Sequence, residues 1–337
     1  MTELLDIFRA LADPTRMRIM HLLGAMELSV GEVAQAVAQS QPRVSRHVKI
    51  LAEAGLVDRR KEGNWVFLRI GAAPACAKLM VLFDGLSTSE TEGLWLKADL
   101  ARLAAIRADR VRAADEYFAR HADEWDAIRS LYVPEAQVEA AMSAILGDAA
   151  VQHLLDLGTG TGRMIQLFGA KAGRVSAIDR SPDMLRLARA KLPPESADRV
   201  DLLLGDFCAL PLDDASADLV VSNPPYVSSG DCDRLPAHVR DHEPRLALDG
   251  GPDGLRVISR LVSEAARVIV PSGRLMMEIG DDQAEAVREI LCPENLFNLE
   301  ALKCDCAGRV RLAVARRVPA WLRAPTCPGA GRGPTAI

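Results

Sequence analysis

Asn223-Pro224-Pro225-Tyr226 is the segment of this chain whose residue types and spacing could do chemistry. A planar amide or aromatic amino nitrogen is a weak nucleophile because its lone pair is delocalised. A protein that makes it attack must therefore hold both N–H groups and aim the lone pair at an electrophile. Asn223 Oδ1 and the Pro224 carbonyl can accept those two hydrogens. Proline has no backbone N–H, so the Pro224-Pro225 step stiffens the chain and presents carbonyls alone. Tyr226 then offers a ring face against which a planar group can lie. The plain alternative is a rigid turn ending a strand, since the run Asp218 to Ser222 before it reads as a buried strand.

The elements that must position this segment lie upstream. Leu154-Leu155-Asp156-Leu157 reads as a strand that enters Gly158-Thr159-Gly160-Thr161-Gly162 and then a helix from Arg163 to Gly169. Backbone can approach a ligand closely only where side chains are absent, which is why those glycines matter. A glycine-rich loop alone is shared with dinucleotide-binding proteins. A second strand, Arg174 to Ile178, ends in Asp179, placed to accept both hydroxyls of a ribose, and Ser181-Pro182 opens a helix from Asp183 to Lys191. A third strand, Val200 to Leu204, ends in Gly205-Asp206-Phe207, where Asp206 can take an adenine amino group and Phe207 can lie against the ring. Strand, acidic end and helix in repetition predict an α/β, doubly wound parallel sheet with its ligand at the carboxyl edge. For Asp156 a structural role, bonding the turn amides, stands beside the ligand role.

The whole set resembles the class I AdoMet-dependent methyltransferases. That resemblance implies a Rossmann-like domain over residues 151–317 and S-adenosyl-L-methionine as cofactor, held by Asp156, Gly158, Thr159, Gly160, Gly162, Asp179, Arg180, Asp206, Phe207 and Asn223. Through Arg163-Met164, Asp179-Arg180-Ser181-Pro182 and Ala209-Leu210-Pro211-Leu212 this half is similar to regulator–methyltransferase fusions. From about residue 221 the similarity changes. Ser222-Asn223-Pro224-Pro225-Tyr226-Val227, the run from Glu243-Pro244-Arg245 through Asp249-Gly250-Gly251-Pro252-Asp253-Gly254-Leu255, Glu278-Ile279-Gly280 and Asp305-Cys306-Ala307-Gly308-Arg309 resemble the peptide-chain release-factor glutamine N5-methyltransferases. The resemblance implies a glutamine-bearing protein, a release factor above all, as methyl acceptor. Asn223 and the Pro224 carbonyl would hold its amide, Tyr226 would pack on it, and Pro225, Glu243 and Pro244 would help shape the peptide pocket. Cys306 and Val310 depart from that family's usual letters.

Residues 1–73 are of a different kind. Leu4, Leu5, Phe8 and Leu11, then Ile19, Met20, Leu22 and Leu23, recur at helical spacing around Asp13-Pro14-Thr15. Ser29 can N-cap a helix from Val30 to Val37, and Ser40 one from Gln41 to Ala54 that Gly55 stops. The latter sets Gln41, Arg43, Ser45, Arg46, His47 and Lys49 against an apolar side of Val44, Val48 and Leu51, the layout of a recognition helix for a major groove. Leu56 to Ile70 reads as two strands around Glu62-Gly63-Asn64, a wing that could touch phosphates. Leu11-Ala12-Asp13-Pro14-Thr15-Arg16, Gln41 to His47 and Leu51 to Val57 resemble the ArsR-type winged helix-turn-helix regulators. The resemblance implies DNA binding, transcription regulation and a homodimer; Leu28-Ser29-Val30-Gly31 stands where the metal-sensing members carry a cysteine pair. A winged helix used for dimerisation or protein docking is the other reading.

Between the two, residues 74–150 read as a helical linker. Trp95 to Ala119 alternates charges that predict a solvated face, with Leu96, Leu100, Leu103 and Ile106 as packing positions, and the aromatics Tyr117, Phe118, Trp125 and Tyr132 could lid the cofactor. Residues 318–337 read as a disordered Pro/Gly-rich tail. A net charge of -5 argues against indiscriminate nucleic-acid binding by the whole molecule but leaves room for a local basic surface. The seven cysteines are scattered, so reduced thiols, no metal site, no membrane span and a cytoplasmic location are expected. Two other functions fit parts of the chain: an ArsR-family regulator whose AdoMet domain is a sensor or a small-molecule methyltransferase, and a DNA amino-methyltransferase, which Asn-Pro-Pro-Tyr also serves.

Overall fold

The computed structural model describes residues 2–73, 75–76, 78–81, 90–120, 135–147, 149–192, 196, 199–206, 209–235, 245–292, 296–305, 307–319 and 321. Contacts divide the chain into two compact units, residues 1–119 with 181–200 and residues 120–180 with 201–337.

In the first unit, α1 (Thr2–Leu11) and α2 (Pro14–Ala25) part at Asp13. The Asp13 carboxylate accepts the Thr15 and Arg16 amides at 2.8 and 3.1 Å, and Pro14 occupies the first turn, where no N–H is needed. β1 (Leu28–Ser29) leads into α3 (Val30–Val37), which opens with a capping box: Glu32 N–H donates to Ser29 Oγ at 3.2 Å and Ser29 N–H to Glu32 Oε2 at 2.7 Å. α4 (Gln41–Glu53) starts after Ser40, whose side chain makes no cap bond; Pro42 removes one of the first-turn donors such a cap would serve. Gly55, at φ +70, ends α4, and Leu56 N–H closes on Leu51 O at 2.9 Å. β2 (Val57–Glu62) and β3 (Trp65–Ile70) form the antiparallel wing around Gly63-Asn64, and β1 pairs with the other edge of β3. Val44, Val48 and Leu51 are buried with Ile19, Met20, Leu22, Leu28 and Leu68 in one core.

α5 (Glu90–Arg120) has the expected solvated charged face only in part: Lys97, Asp109 and Arg112 are exposed, whereas other charges on it are docked. Asp99 is buried and takes Arg18 through two hydrogen bonds of 2.6 Å, while Arg110 pairs with Glu32 at 2.6 and 2.7 Å. Arg102 and Arg107 donate to the carbonyls of Ala36 and Ala25, both at 3.1 Å. Those carbonyls lie in the last turns of α3 and α2, where helices lack internal partners and their dipoles favour a cation. The charges therefore dock the helix. Leu103 and Ile106 join the core, whereas Leu100 is exposed.

The second unit is built on a seven-stranded sheet. α6 (Glu135–Leu146) precedes β4 (Val151–Leu157), α7 (Arg163–Phe168), β5 (Ala172–Asp179), α8 (Pro182–Lys191), β6 (Val200–Leu204) and β7 (Ala217–Ser222). There follow β8 (Val227–Ser228), α9 (Ser229–Cys232), α10 (Arg245–Leu248), β9 (Asp249–Gly251), α11 (Arg256–Val268), β10 (Ile269–Glu278), α12 (Ala284–Leu291), β11 (Phe297–Cys304) and β12 (Val310–Arg317). The sheet order is β11-β12-β10-β7-β4-β5-β6, with β5, β4, β7 and β10 parallel and β12 antiparallel to both β10 and β11. β4 and β7 are buried along nearly their whole length, as strands covered on both faces are, and their sequences show no alternation of apolar and polar residues. By its contacts α8 belongs to the first unit, where buried Arg189 donates to Glu27 at 2.9 Å and to Glu62 at 3.0 Å.

Candidate active site

From β4 the chain proceeds to β5 on one side, while β7, its other neighbour, continues toward β10. The carboxyl ends of β4 and β7 therefore bound the crevice where a doubly wound sheet takes its ligand. Gly158 leaves β4 there and Asn223 leaves β7. Ser222 Oγ donates to Leu157 O at 2.8 Å and ties the two strand ends together.

The loop after β4 is held from β5. Gly158 and Thr159 N–H groups donate to Ile178 O at 2.8 and 3.0 Å, and Gly160 N–H donates to Asp179 Oδ2 at 2.9 Å. Gly158, Gly160 and Gly162 all have positive φ, of +72, +53 and +83, which an L side chain resists. A Cβ at Gly160 would face open space, so conformation rather than crowding demands glycine there. Asp156 is buried and accepts the Thr159 hydroxyl at 2.6 Å. Burial pushes its carboxyl up to about 7; the Thr159 hydrogen bond opposes that, and the Asp179 carboxylate adds to it. Its observed partner is a loop hydroxyl. Asp179 stays partly exposed at its strand end, and Arg180 Nε lies 3.6 Å from Asp206 Oδ2 at the end of β6. Glycine backbone open to solvent beside two acidic strand ends is a donor and acceptor set that fits a nucleoside bearing an amino acid.

Beyond β7, Asn223 is exposed while Pro224 is buried, so the turn is anchored and the amide side chain is accessible. β8 pairs parallel with β9, which brings Asp249 and Gly251 beside Val227 and Ser228 and Gly250 against the Pro225 carbonyl. Asp249 Oδ1 accepts Ser229 Oγ at 2.7 Å and Gly251 N–H at 2.9 Å, and these bonds, the first above all, hold its carboxyl below the usual range. Tyr226 Oη donates to Glu278 Oε1 at 3.3 Å, and the Arg311 guanidinium lies 6.0 Å from its ring centre. Pro225 is half-buried in the same turn. Phe207, Glu243 and Pro244 lie outside the described residues, as does the aromatic segment 121–134.

In the first unit, Gln41, Arg43, Ser45, Arg46 and Lys49 are exposed along α4. His47 differs from them: it is half-buried, and its Nδ1 lies 3.7 Å from Asp13 Oδ1. Among the described residues no helix is long and apolar enough to cross a membrane, and no group of three or more His, Cys, Asp or Glu could hold a metal ion.

A methyltransferase domain model matches residues 154–242 and a helix-turn-helix domain model matches residues 11–60. The release factor glutamine methyltransferase of Moorella thermoacetica is 38% identical over 194 residues, covering 56% of this chain and 68% of the relative. That of Geobacter sulfurreducens is 30% identical over 266 residues, covering 76% and 87%. The chain belongs to the release factor glutamine methyltransferase family. Among solved structures, the ribosomal protein L11 methylase of Lactobacillus delbrueckii subsp. bulgaricus is similar at 16% identity and a TM-score of 0.41, covering 55% of this chain and 78% of that one.

This member of the release factor glutamine methyltransferase family is an AdoMet-dependent N-methyltransferase carrying a helix-turn-helix domain. The sequence singled out its Asn223 turn and glycine loop. It did not single out Glu278 and Gln283, which meet Tyr226 from β10 and the loop after it; Glu278 stood only within a family motif, and Gln283 carried no signal.

Proposed function

We propose that this protein transfers the methyl of S-adenosyl-L-methionine to the side-chain amide nitrogen of a glutamine in a peptide-chain release factor. One observation carries the reading: an exposed Asn223 and an anchored Pro224 leave the carboxyl end of β7, beside the glycine loop that follows β4. Asp179 and Asp206 suit the ribose and adenine, and Gly158 to Gly162, with Asp156 bracing them through Thr159, suit the amino-acid end. The bound cofactor supplies an electrophilic sulfonium methyl. Asn223 Oδ1 and the Pro224 carbonyl take the two amide N–H groups and turn the nitrogen lone pair toward that carbon, while Tyr226 packs on the amide plane. With the cofactor bound, the N–C bond would form as the S–C bond breaks, leaving the thioether as product. The nitrogen becomes acidic only once methylated, so its proton leaves to those oxygens or to water without a strong base. Rate comes from orientation and charge placement. Asn223→Ala is expected to abolish turnover and to leave cofactor affinity nearly intact, as read by calorimetric titration beside a transfer assay. Loss of cofactor binding in that variant contradicts the role given to Asn223.

The match over residues 11–60 and the exposed basic face of α4 favour a second activity in the same chain, binding of duplex DNA through Gln41, Arg43, Ser45, Arg46 and Lys49. His47 serves that helix by packing toward Asp13. Regulation of transcription, a homodimer, a cytoplasmic location and a working division at about residues 73, 150 and 317 belong to this proposal.

A further inference from the structure

The turn that carries Asn223 and Pro224 is followed by a residue gripped at both ends from one segment of chain. Tyr226 Oη donates to Glu278 Oε1 at 3.3 Å, at the end of β10. On the backbone side, Gln283 Nε2 donates to the Tyr226 carbonyl at 2.8 Å, while Gln283 Oε1 accepts the Gly280 N–H at 3.0 Å. Gln283 is 7% exposed, and both ends of its amide are engaged with backbone. Such a bridge is fixed in direction, because a carbonyl cannot bond a carbonyl.

The loop around β9 closes the same arrangement from the other side. Gly254 has φ +74, and a Cβ there would collide with the Tyr226 carbonyl and come within 2.6 Å of Gln283 Nε2. A Cβ at Gly250 would collide with Gly254 O and come within 2.8 Å of Pro225 O. The glycines of Asp249 to Gly254 thus let bare backbone lie against the Pro225 and Tyr226 carbonyls, with the Gln283 amide completing the enclosure.

We propose that Gln283 is a positioning residue of the methyl-transfer site, whose amide bridges Gly280 N–H and the Tyr226 carbonyl and so sets the direction of the Asn223 and Pro224 acceptors. This rests on the function proposed above. It assigns work to a buried residue that acts through the Tyr226 backbone.

The test uses the full-length protein and two substitutions. Gln283→Glu keeps the length and the acceptor for Gly280 N–H but sets a carboxylate oxygen against the Tyr226 carbonyl. Gln283→Met keeps the volume and makes neither bond. In transfer of labelled methyl to a release factor, both are expected to lower kcat by roughly 30- to 100-fold, the scale of a misplacement of about 1 Å, with KM for the acceptor and affinity for AdoMet little changed. Wild-type and Asn223→Ala proteins are run alongside. An active wild type, an inactive Asn223→Ala and an unchanged Gln283→Glu would overturn the positioning role while sparing the function; kcat, cofactor affinity and melting temperature falling together in both variants would make Gln283 a fold residue and overturn it too. A wild type that transfers nothing to glutamine removes the function instead. Hydrogen–deuterium exchange then decides on Gln283: faster exchange in Gln283→Glu confined to the segment following Tyr226 upholds the bridge, and unchanged exchange there overturns it.

Discussion

Asp156 can serve as a ligand contact, as a brace for the glycine loop, or as both, and its observed partner is the loop's own Thr159 hydroxyl. Its carboxyl is buried, braced by the Thr159 hydroxyl and pushed up to about 7, so the folded protein holds a proton that the unfolded chain releases near 3.8. The native state therefore binds more protons than the unfolded state between these values. This group's contribution to stability is fully present below about 4 and is lost as pH rises through about 7. Asp156→Asn removes the titration, so denaturant unfolding from pH 4 to 7 is expected to show a flatter profile in the variant, and identical profiles would contradict the burial account. At this scale the sequence was readable wherever chemistry constrains residue type: an amide acceptor before two prolines, glycines at positive φ, acids at strand ends. Gln283 was not, since a glutamine in a turn has no spacing signature and only the folded chain brings it to Tyr226.

The elements divide in the same way. Caps and turns are local, so Asp13, Ser29, Gly55 and Gly63 announced their helix starts, helix end and wing turn. The docking of α5 is long-range and was only half legible, because a charge on a helix looks alike whether it meets water, as Asp109 and Arg112 do, or the carbonyl ends of other helices, as Arg102 and Arg107 do. Asp99→Ala tests the docking. It takes the carboxylate, 1% exposed, from the Arg18 guanidinium, which is 20% exposed and keeps the Val37 carbonyl and the Trp95 ring, so a loss of about 3 kcal/mol in unfolding of the first unit is expected from denaturant titration. A loss under about 0.5 kcal/mol, typical of a surface substitution, would mean that the Asp99–Arg18 pair does not dock the helix. The crossover pattern of the sheet was legible because parallel strands need long crossover connections, usually helices, and the repeated order of strand, acidic end and helix supplies them.

At the scale of the whole molecule, one chain joins a helix-turn-helix domain to a methyltransferase. If α4 binds DNA as proposed, Arg43→Ala and Arg46→Ala should weaken duplex binding and lower its salt slope by about one each where they neutralise a phosphate, with methyl transfer unchanged. DNA affinity unmoved by both would assign α4 another partner. The division into a regulator-like and an enzyme-like half was legible because each half carries motifs with a mechanism of its own; which acceptor the enzyme half serves rests on the Asn223 turn and on the relatives' kind. The direct measurement is labelled-methyl transfer from AdoMet to a purified release factor, with a second release factor in which the acceptor glutamine is replaced by alanine. Label on the glutamine, absent from the alanine control, is the result this account predicts. Bound AdoMet with no label on either protein, or label that appears only on duplex DNA, would contradict it.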